Sequence, residues 1–337
     1  MADIIILGSG GFGASLAVML HKYGDTVCMW SRFQEEIDEI RKYGENKKLL
    51  PGVAIDMSIE LTTDLELCKD KKVIILAVPS FAVRPVAHSI KDIISPETIV
   101  VNVGKGFEES SLMRLSEVIQ EELPDNDVVI LSGPSHAEEI ARGVPTTIVA
   151  ACKNRKSAEY IQDLLMNTNL RVYVNDDIIG VELGGALKNI IAVCAGVCDG
   201  LSLGDNTKAA LITRGLAEIA RLGIAMGAQG ETFTGLTGMG DLIVTCTSMH
   251  SRNRRCGIFI GQGLSADDAT KRVGMTVEGC VAAKAAYKLS QKYNIEMPIT
   301  EQLYKVITED KDIKTALNDL MERPKRHENE RIWMDRK

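Results

Sequence analysis

Ile4-Ile5-Ile6-Leu7-Gly8-Ser9-Gly10-Gly11-Phe12-Gly13-Ala14-Ser15-Leu16 decides the fold of this chain. The four leading apolar residues read as a buried strand, and residues 14–22 read as an amphipathic helix. Between them lies G-x-G-x-x-G, closing the strand and opening the helix. That context makes the pattern a dinucleotide-binding turn rather than a glycine-rich turn with no ligand. Gly8 permits the tight turn, Gly10 lets the backbone approach a pyrophosphate, and Gly13 lets helix and strand pack closely. The helix N-terminus then offers unpaired N–H groups and a partial positive charge to the phosphates.

Working outward, a second apolar run at 26–30 ends in Ser31-Arg32. Enzymes restricted to NAD usually place Asp or Glu here, where it bonds the ribose 2′-hydroxyl. Arg32 suits a 2′-phosphate or can lie over the adenine, so the sequence leans to NADPH or to use of both cofactors. The alternative is a solvated surface Arg. Further β-rich runs at 73–78, 99–103, 128–131, 147–150 and 171–174 are separated by amphipathic stretches such as 34–42, 83–94 and 112–122. Such alternation predicts a mostly parallel sheet covered on both faces. The character changes near Asp177, after which the chain reads as helical: 183–198, 206–226, 235–245, 251–262, 265–272, Glu278–Tyr293, 299–309 and Ile313–Met321. The predicted architecture is an α/β Rossmann-type domain over 1–177 and an all-α domain over 178–337, with a charged, loosely ordered tail from Arg323.

Composition agrees with two globular domains. At roughly 100–200 residues per domain, 337 residues suffice for both, and a net charge of −7 argues against a general nucleic-acid or membrane-surface binder. The eight cysteines include no C-x-x-C pair and no His at metal spacing, so no metal is expected. They read as small core residues in a reducing compartment. The chain opens on a strand pattern without a basic-then-apolar leader, and no apolar run reaches the ~20 residues of a membrane span. A cytoplasmic protein is expected.

The second half carries the candidate chemistry. Lys188 shares a helical face with Gly184, Gly185, Ile191 and Ala192. Small neighbours leave room for a ligand, and desolvation lowers the pKa of a Lys so placed, fitting it to hand a proton to a carbonyl oxygen. A Lys snorkelling from a buried helix is the alternative. Asn189 can donate to substrate or bond backbone. Asp241, after a Gly-rich turn, can orient a lysine or cap a helix. Ser251-Arg252-Asn253-Arg254-Arg255 suits a phosphate dianion or is a solvated basic turn. Lys105 follows the run at 99–103, and Gly133-Pro134-Ser135-His136-Ala137 follows 128–131; both lie where ligands bind in open α/β sheets. His136 reads as a first-turn surface His.

Taken in order, several blocks resemble one family: the glycine loop, Lys105-Gly106-Phe107, Ser132-Gly133-Pro134-Ser135, Gly184-Gly185-Ala186-Leu187-Lys188-Asn189, Thr213-Arg214-Gly215-Leu216-Ala217-Glu218, Gly238-Met239-Gly240-Asp241-Leu242, Ser251-Arg252-Asn253-Arg254-Arg255, Val277-Glu278-Gly279 and Met297-Pro298-Ile299-Thr300. The chain is similar to bacterial-type NAD(P)-dependent sn-glycerol-3-phosphate dehydrogenases through about Met321. The resemblance implies reduction of dihydroxyacetone phosphate at C2, supplying glycerophospholipid synthesis. It implies Lys188 as proton donor and Lys105 near both nicotinamide and substrate. Gly133, Ser135, Asp241, Ser251, Arg252 and Asn253 then form the substrate side, and Asn189 beside Lys188 is added to it as a candidate from the residues alone. Gly11, Phe12, Arg32, Ala137, Arg252 and Glu278, with Thr276 or Val277, contact the cofactor. A homodimer is implied, with no nucleic acid partner. Many relatives carry Ser-Trp or Ser-Tyr where this chain has Gly11-Phe12, which keeps an aromatic ring and removes a hydroxyl. Two other readings are a related two-domain hydroxy-acid dehydrogenase and a non-enzymatic NAD(P)H-binding redox sensor.

Overall fold

The structure is a computed structural model and describes residues 3–325 and 328; most of the charged tail expected to be loosely ordered lies outside the described residues. Eight strands form one sheet in the order β3-β2-β1-β4-β5-β6-β7-β8, comprising β1 (Ile4–Leu7), β2 (Val27–Trp30), β3 (Glu60–Thr62), β4 (Val73–Leu76), β5 (Ile99–Asn102), β6 (Val128–Ser132), β7 (Thr146–Ala151) and β8 (Leu170–Asn175). Six of the seven pairings are parallel; only β6 and β7 run antiparallel. In the parallel part, Leu7 is in register with Trp30 on one side and Leu76 on the other. Every residue of β1, β2, β4, β5 and β6 is buried, so these strands read as continuous apolar runs, as parallel strands covered on both faces must.

One face of the sheet packs against α1 (Gly11–Lys22), α2 (Gln34–Tyr43), α5 (Ala137–Arg142) and α6 (Arg155–Met166) through residues such as Leu16, Ile37, Ile140 and Ile161. The other packs against α3 (Val83–Ile90) and α4 (Leu115–Glu122), and Ile178 and Val181 join that same layer. Strand order reverses at β1, which lies between β2 and β4. Ligands of open α/β sheets bind outside the carboxyl ends of the strands at such a point.

Ile178 opens α7 (Ile178–Gly200), which starts earlier than the apolar pattern suggested. The cause is Asp177, whose carboxylate accepts from the Gly180 N–H (2.8 Å) and also from Gln229 N–H (2.9 Å) and the Thr232 hydroxyl (2.6 Å). α7 is long and apolar enough to cross a membrane, but 83% of its most apolar stretch is buried inside the protein. It is the hub on which α8 (Gly204–Ala225), α9 (Asp241–Thr247), α10 (Arg252–Gly261), α12 (Glu278–Tyr293) and α13 (Pro298–Thr308) pack, with α11 (Ala266–Val273) and α14 (Ile313–Met321) outside them. α7 and α10 cross with backbones nearly touching. A Cβ on Gly196 would fall 1.9 Å from the Arg254 carbonyl oxygen, and one on Gly257 would fall 1.9 Å from that of Val193. The stretch expected as one helix over 235–245 is instead a π-helical turn, Leu236–Gly240, leading into α9.

Candidate active site

The loop after β5 and the end of β6 meet α7 and α9, while the glycine turn after β1 lies beside α5. The glycine turn follows β1. Gly8, at φ +131°, donates its N–H to Trp30 O at 2.9 Å, and a Cβ there would fall 2.4 Å from Ala77 O. A Cβ on Gly13 would fall 2.0 Å from Gly8 O, whereas Gly10 has nothing within 4 Å. Gly10 therefore faces open space at the first turn of α1, where a pyrophosphate can approach backbone N–H groups. A Cβ on Gly11 would lie 2.5 Å from Leu49 O, so a backbone carbonyl fills the place where a side chain would stand. Phe12 packs half-buried on the sheet core.

Lys188, in the middle of α7, is 5% exposed. Its Nζ donates to Asp241 Oδ1 and to the Thr245 hydroxyl (2.7 Å). Lys105, in the loop after β5, donates to the other Asp241 oxygen (2.8 Å), to Gly133 O (2.9 Å) and to the Ser135 hydroxyl (3.3 Å). One carboxylate thus bridges two lysines from opposite halves of the chain. Burial, with Lys105 adding to it, pushes the Lys188 ammonium down to about 7, while Asp241 opposes the shift. Asp241 is the first residue of α9, one place past the cap position held by Gly240, so it aims its carboxylate at the lysines rather than capping the helix. Thr245, one turn on, donates back to Asp241 O at 2.6 Å.

The room that Gly184 and Gly185 seemed to leave for a ligand is filled by protein. A Cβ on Gly184 would meet Thr237 O at 2.6 Å, and one on Gly185 would meet the Ser132 hydroxyl at 2.7 Å. Their smallness presses the turn before α9 and the end of β6 against Lys188, and this contact builds the bridge.

Ser251 is buried and caps α10, accepting from Arg254 N–H at 3.2 Å. Asn253 donates to Asn189 Oδ1 (2.9 Å) and accepts from Gly279 N–H (2.9 Å), locking α7, α10 and α12 together. Arg254 is committed to Asp199 (2.7 Å) and Thr247 O (2.6 Å). Arg252 is exposed, and among the described residues no hydrogen bond or ion pair holds its guanidinium. The Arg255 Nε in the same run is likewise without a hydrogen-bond partner, but it is buried. Glu278, at the start of α12, accepts from Ser80 N–H (3.3 Å) and the Ser80 hydroxyl (2.9 Å), and burial raises its carboxyl pKa. Val277 is buried in the helical core, while Thr276 is half-exposed. Ala137 opens α5 beside the glycine turn, 4.0 Å from where a Gly11 Cβ would lie. Arg32 is exposed after β2.

His136 departs from its expected place on the surface. It is half-buried, its Nε2 is sealed without a partner, and its ring lies 5.7 Å from that of His250. Burial, with Lys188 and Lys105 nearby, lowers its pKa. A His at a helix start carries no sequence signal that it will turn inward; only the pairing of its loop with Lys105 reveals it.

Comparisons with known proteins show the family to which the chain is similar. The model of the NAD-dependent glycerol-3-phosphate dehydrogenase N-terminus matches residues 3–158, and that of the C-terminus matches 177–318. A Clostridium perfringens protein named glycerol-3-phosphate dehydrogenase [NAD(P)+] is 52% identical, covering 97% of this chain and 99% of the relative. A Bacillus subtilis protein of the same name is 51% identical, over 98% and 97%. The crystal structure of glycerol-3-phosphate dehydrogenase from Coxiella burnetii superposes with a TM-score of 0.91 at 39% identity, covering 95% of this chain and 98% of that one. With its glycine turn at the strand-order reversal and its two lysines on one aspartate, the chain belongs to the NAD-dependent glycerol-3-phosphate dehydrogenase family.

Proposed function

We propose that the protein reduces dihydroxyacetone phosphate to sn-glycerol 3-phosphate with NAD(P)H, and runs the reverse reaction with NAD(P)+. The observation that carries this reading is the Asp241 bridge: a buried lysine tuned to about 7, oriented by a carboxylate, beside a second lysine at the carboxyl end of the sheet. NAD(P)H, when bound, supplies a hydride to C2. Lys188 gives its proton to the C2 oxygen as that oxygen becomes an alkoxide, and takes one back in oxidation. Lys105 places a second positive charge beside the same oxygen, stabilising it as charge develops. Asp241 holds both ammoniums in place and so acts as a positioning residue. Arg252, unpaired at the cleft, grips the phosphate with Ser251 and Asn253 beside it at the N-terminus of α10. Anchoring the phosphate fixes the ketone, which lowers the entropic barrier. Gly133 and Ser135 shape the substrate side through Lys105. Asn189 acts through Asn253.

On the cofactor side the reading uses Gly8, Gly10, Gly11, Phe12 and Gly13 around the pyrophosphate, with Ala137 next to them. The reading gives Arg32 to a 2′-phosphate or the adenine, and Glu278, with Thr276 or Val277, to a further cofactor contact. The reaction so drawn calls on no metal. That the product supplies glycerophospholipid synthesis, in the cytoplasm and from a homodimer with domains 1–177 and 178–337, belongs to the same proposal.

The test is oxidation of NADH and NADPH followed at 340 nm, with dihydroxyacetone phosphate and with unphosphorylated dihydroxyacetone. Fast turnover confined to the phosphate ester is expected. Turnover with hydroxy-acid substrates instead would move the protein to the related dehydrogenases, and cofactor binding without turnover of any of them would leave the sensor reading.

A further inference from the structure

The end of β2 offers Ser31 and Arg32 but no acid, and from sequence Arg32 is the only charge there. The structure brings a carboxylate from the next helix. Glu36 lies in the first turn of α2, and its Oε2 accepts from the hydroxyls of Ser9 (2.5 Å) and Ser31 (2.5 Å). Ser9 is the second residue of the glycine turn and Ser31 directly follows β2; both are buried. Ser9 is fixed in turn by Asn46, whose side-chain amide donates to Ser9 O at 2.8 Å, and the Ser31 hydroxyl accepts from Phe33 N–H at 3.2 Å. Both serine bonds fall on one carboxylate oxygen. Among the described residues Glu36 Oε1 receives no hydrogen bond.

In a Rossmann site the adenosine ribose rests between the glycine turn and the end of the second strand, its 2′-hydroxyl directed at the residue there. Glu36 spans that gap. We propose that Glu36 reads the 2′ position of the cofactor: its free oxygen accepts the ribose 2′-hydroxyl of NADH, and its charge repels the 2′-phosphate of NADPH. Arg32 pulls the other way, but the two charges are not equally placed. Arg32 is exposed on a long stem and its attraction is screened by solvent and salt. Two buried hydroxyls hold Glu36, so it cannot swing aside to admit a phosphate, and a fixed repulsive group is an effective source of specificity. The chain therefore prefers NADH.

This inference rests on the NAD(P)H reading above but not on the identity of the ketone. The experiment titrates the full-length protein with NADH and with NADPH, following nicotinamide fluorescence without ketone, for the wild type, Glu36→Gln and Ser31→Ala. The wild type is expected to bind NADH at least about tenfold more tightly. Glu36→Gln should bring the ratio to within about threefold, mainly by tightening NADPH. Ser31→Ala loosens the carboxylate without removing it and should narrow the ratio less. Equal or tighter binding of NADPH by the wild type overturns the proposal, as does a Glu36→Gln ratio that stays where it was. Tenfold discrimination in a protein that fails to reduce dihydroxyacetone phosphate supports the assignment of Glu36 and removes only the substrate reading.

Discussion

In the proposed reaction Lys188 has to carry a proton at neutral pH and still release it, and its surroundings suit that balance. Burial lowers its affinity for the proton and Asp241 restores part of it, leaving it near 7. The sign of the pH dependence follows. Reduction needs the ammonium, so kcat/KM for dihydroxyacetone phosphate should fall as pH rises through about 7. Oxidation of glycerol 3-phosphate needs the neutral amine and should rise over the same range. Opposite limbs in the two directions would be the signature; parallel limbs would remove Lys188 from the proton step. Lys188→Ala should cut kcat by roughly 10²–10⁴-fold, with cofactor affinity unchanged by fluorescence titration. Arg252→Ala should raise the KM for the phosphorylated ketone by about tenfold or more, the worth of a charge-assisted bond, and leave the slow reaction of unphosphorylated dihydroxyacetone alone. The burial of Lys188 was legible in the sequence, because a Lys among Gly, Ala and Ile contradicts its surroundings, whereas the readings of Asp241 and of the basic run stayed open there. Glu36 and His136 were not legible, because a carboxylate in a first helical turn and a His after a loop look like ordinary surface residues until the fold shows what they face.

The elements hold these residues in place by close packing and by caps that reach across the sequence. At the α7–α10 crossing, Gly196→Ala would drive a methyl group into the Arg254 carbonyl, at 1.9 Å in the undisturbed backbone. The helices must separate, and since α10 is capped by Ser251 and begins with Arg252 and Asn253, the loss should show twice. Urea unfolding should report about 1–3 kcal/mol of destabilisation, and KM for the ketone phosphate should rise. Glu218, buried in α8, accepts from Ile299 N–H (2.7 Å) and Thr300 N–H (3.2 Å) and so caps α13 from another helix. Removing it orphans buried donors, and Glu218→Ala should cost about 1–3 kcal/mol in the same measurement. Burial raises this carboxyl to about 7 from an ordinary 4.5. The folded protein therefore binds a proton there that the unfolded chain has released between about 4.5 and 7, so this group's contribution to stability is full below that window and declines as pH rises through it. Most elements were legible from periodicity. β3 was not, since of Glu60, Leu61 and Thr62 only Leu61 is buried. The true start of α7 was hidden because Asp177 caps it while bonding Gln229 and Thr232, residues remote in sequence.

At the scale of the whole molecule, sheet and helices are joined by polar contacts as well as by apolar surface. Arg114, at the start of α4, donates to Glu182 of α7 at 2.5 Å, and Ser116 N–H donates to the same carboxylate at 2.8 Å. Ser80 and Glu278 make a second tie, and Lys105 with Asp241 a third. The sequence announced two architectures and the order in which they come, because strand alternation stops where the long helices begin. It could not announce their docking, which depends on pairs such as 80 with 278 that no local pattern couples. The Asp241 bridge gives that docking a chemical meaning. Lys105 arrives on the sheet, Lys188 and Asp241 on the helices, and the carboxylate has both ammoniums only when the two halves are seated. In the proposed reaction the bridge would therefore work as a coincidence detector: a chain whose halves are not seated, nicked between them or partly loosened by denaturant, would lack the doubly held carboxylate that tunes the acid. Loss of activity ahead of loss of helix and strand signal in a urea titration is the expected outcome.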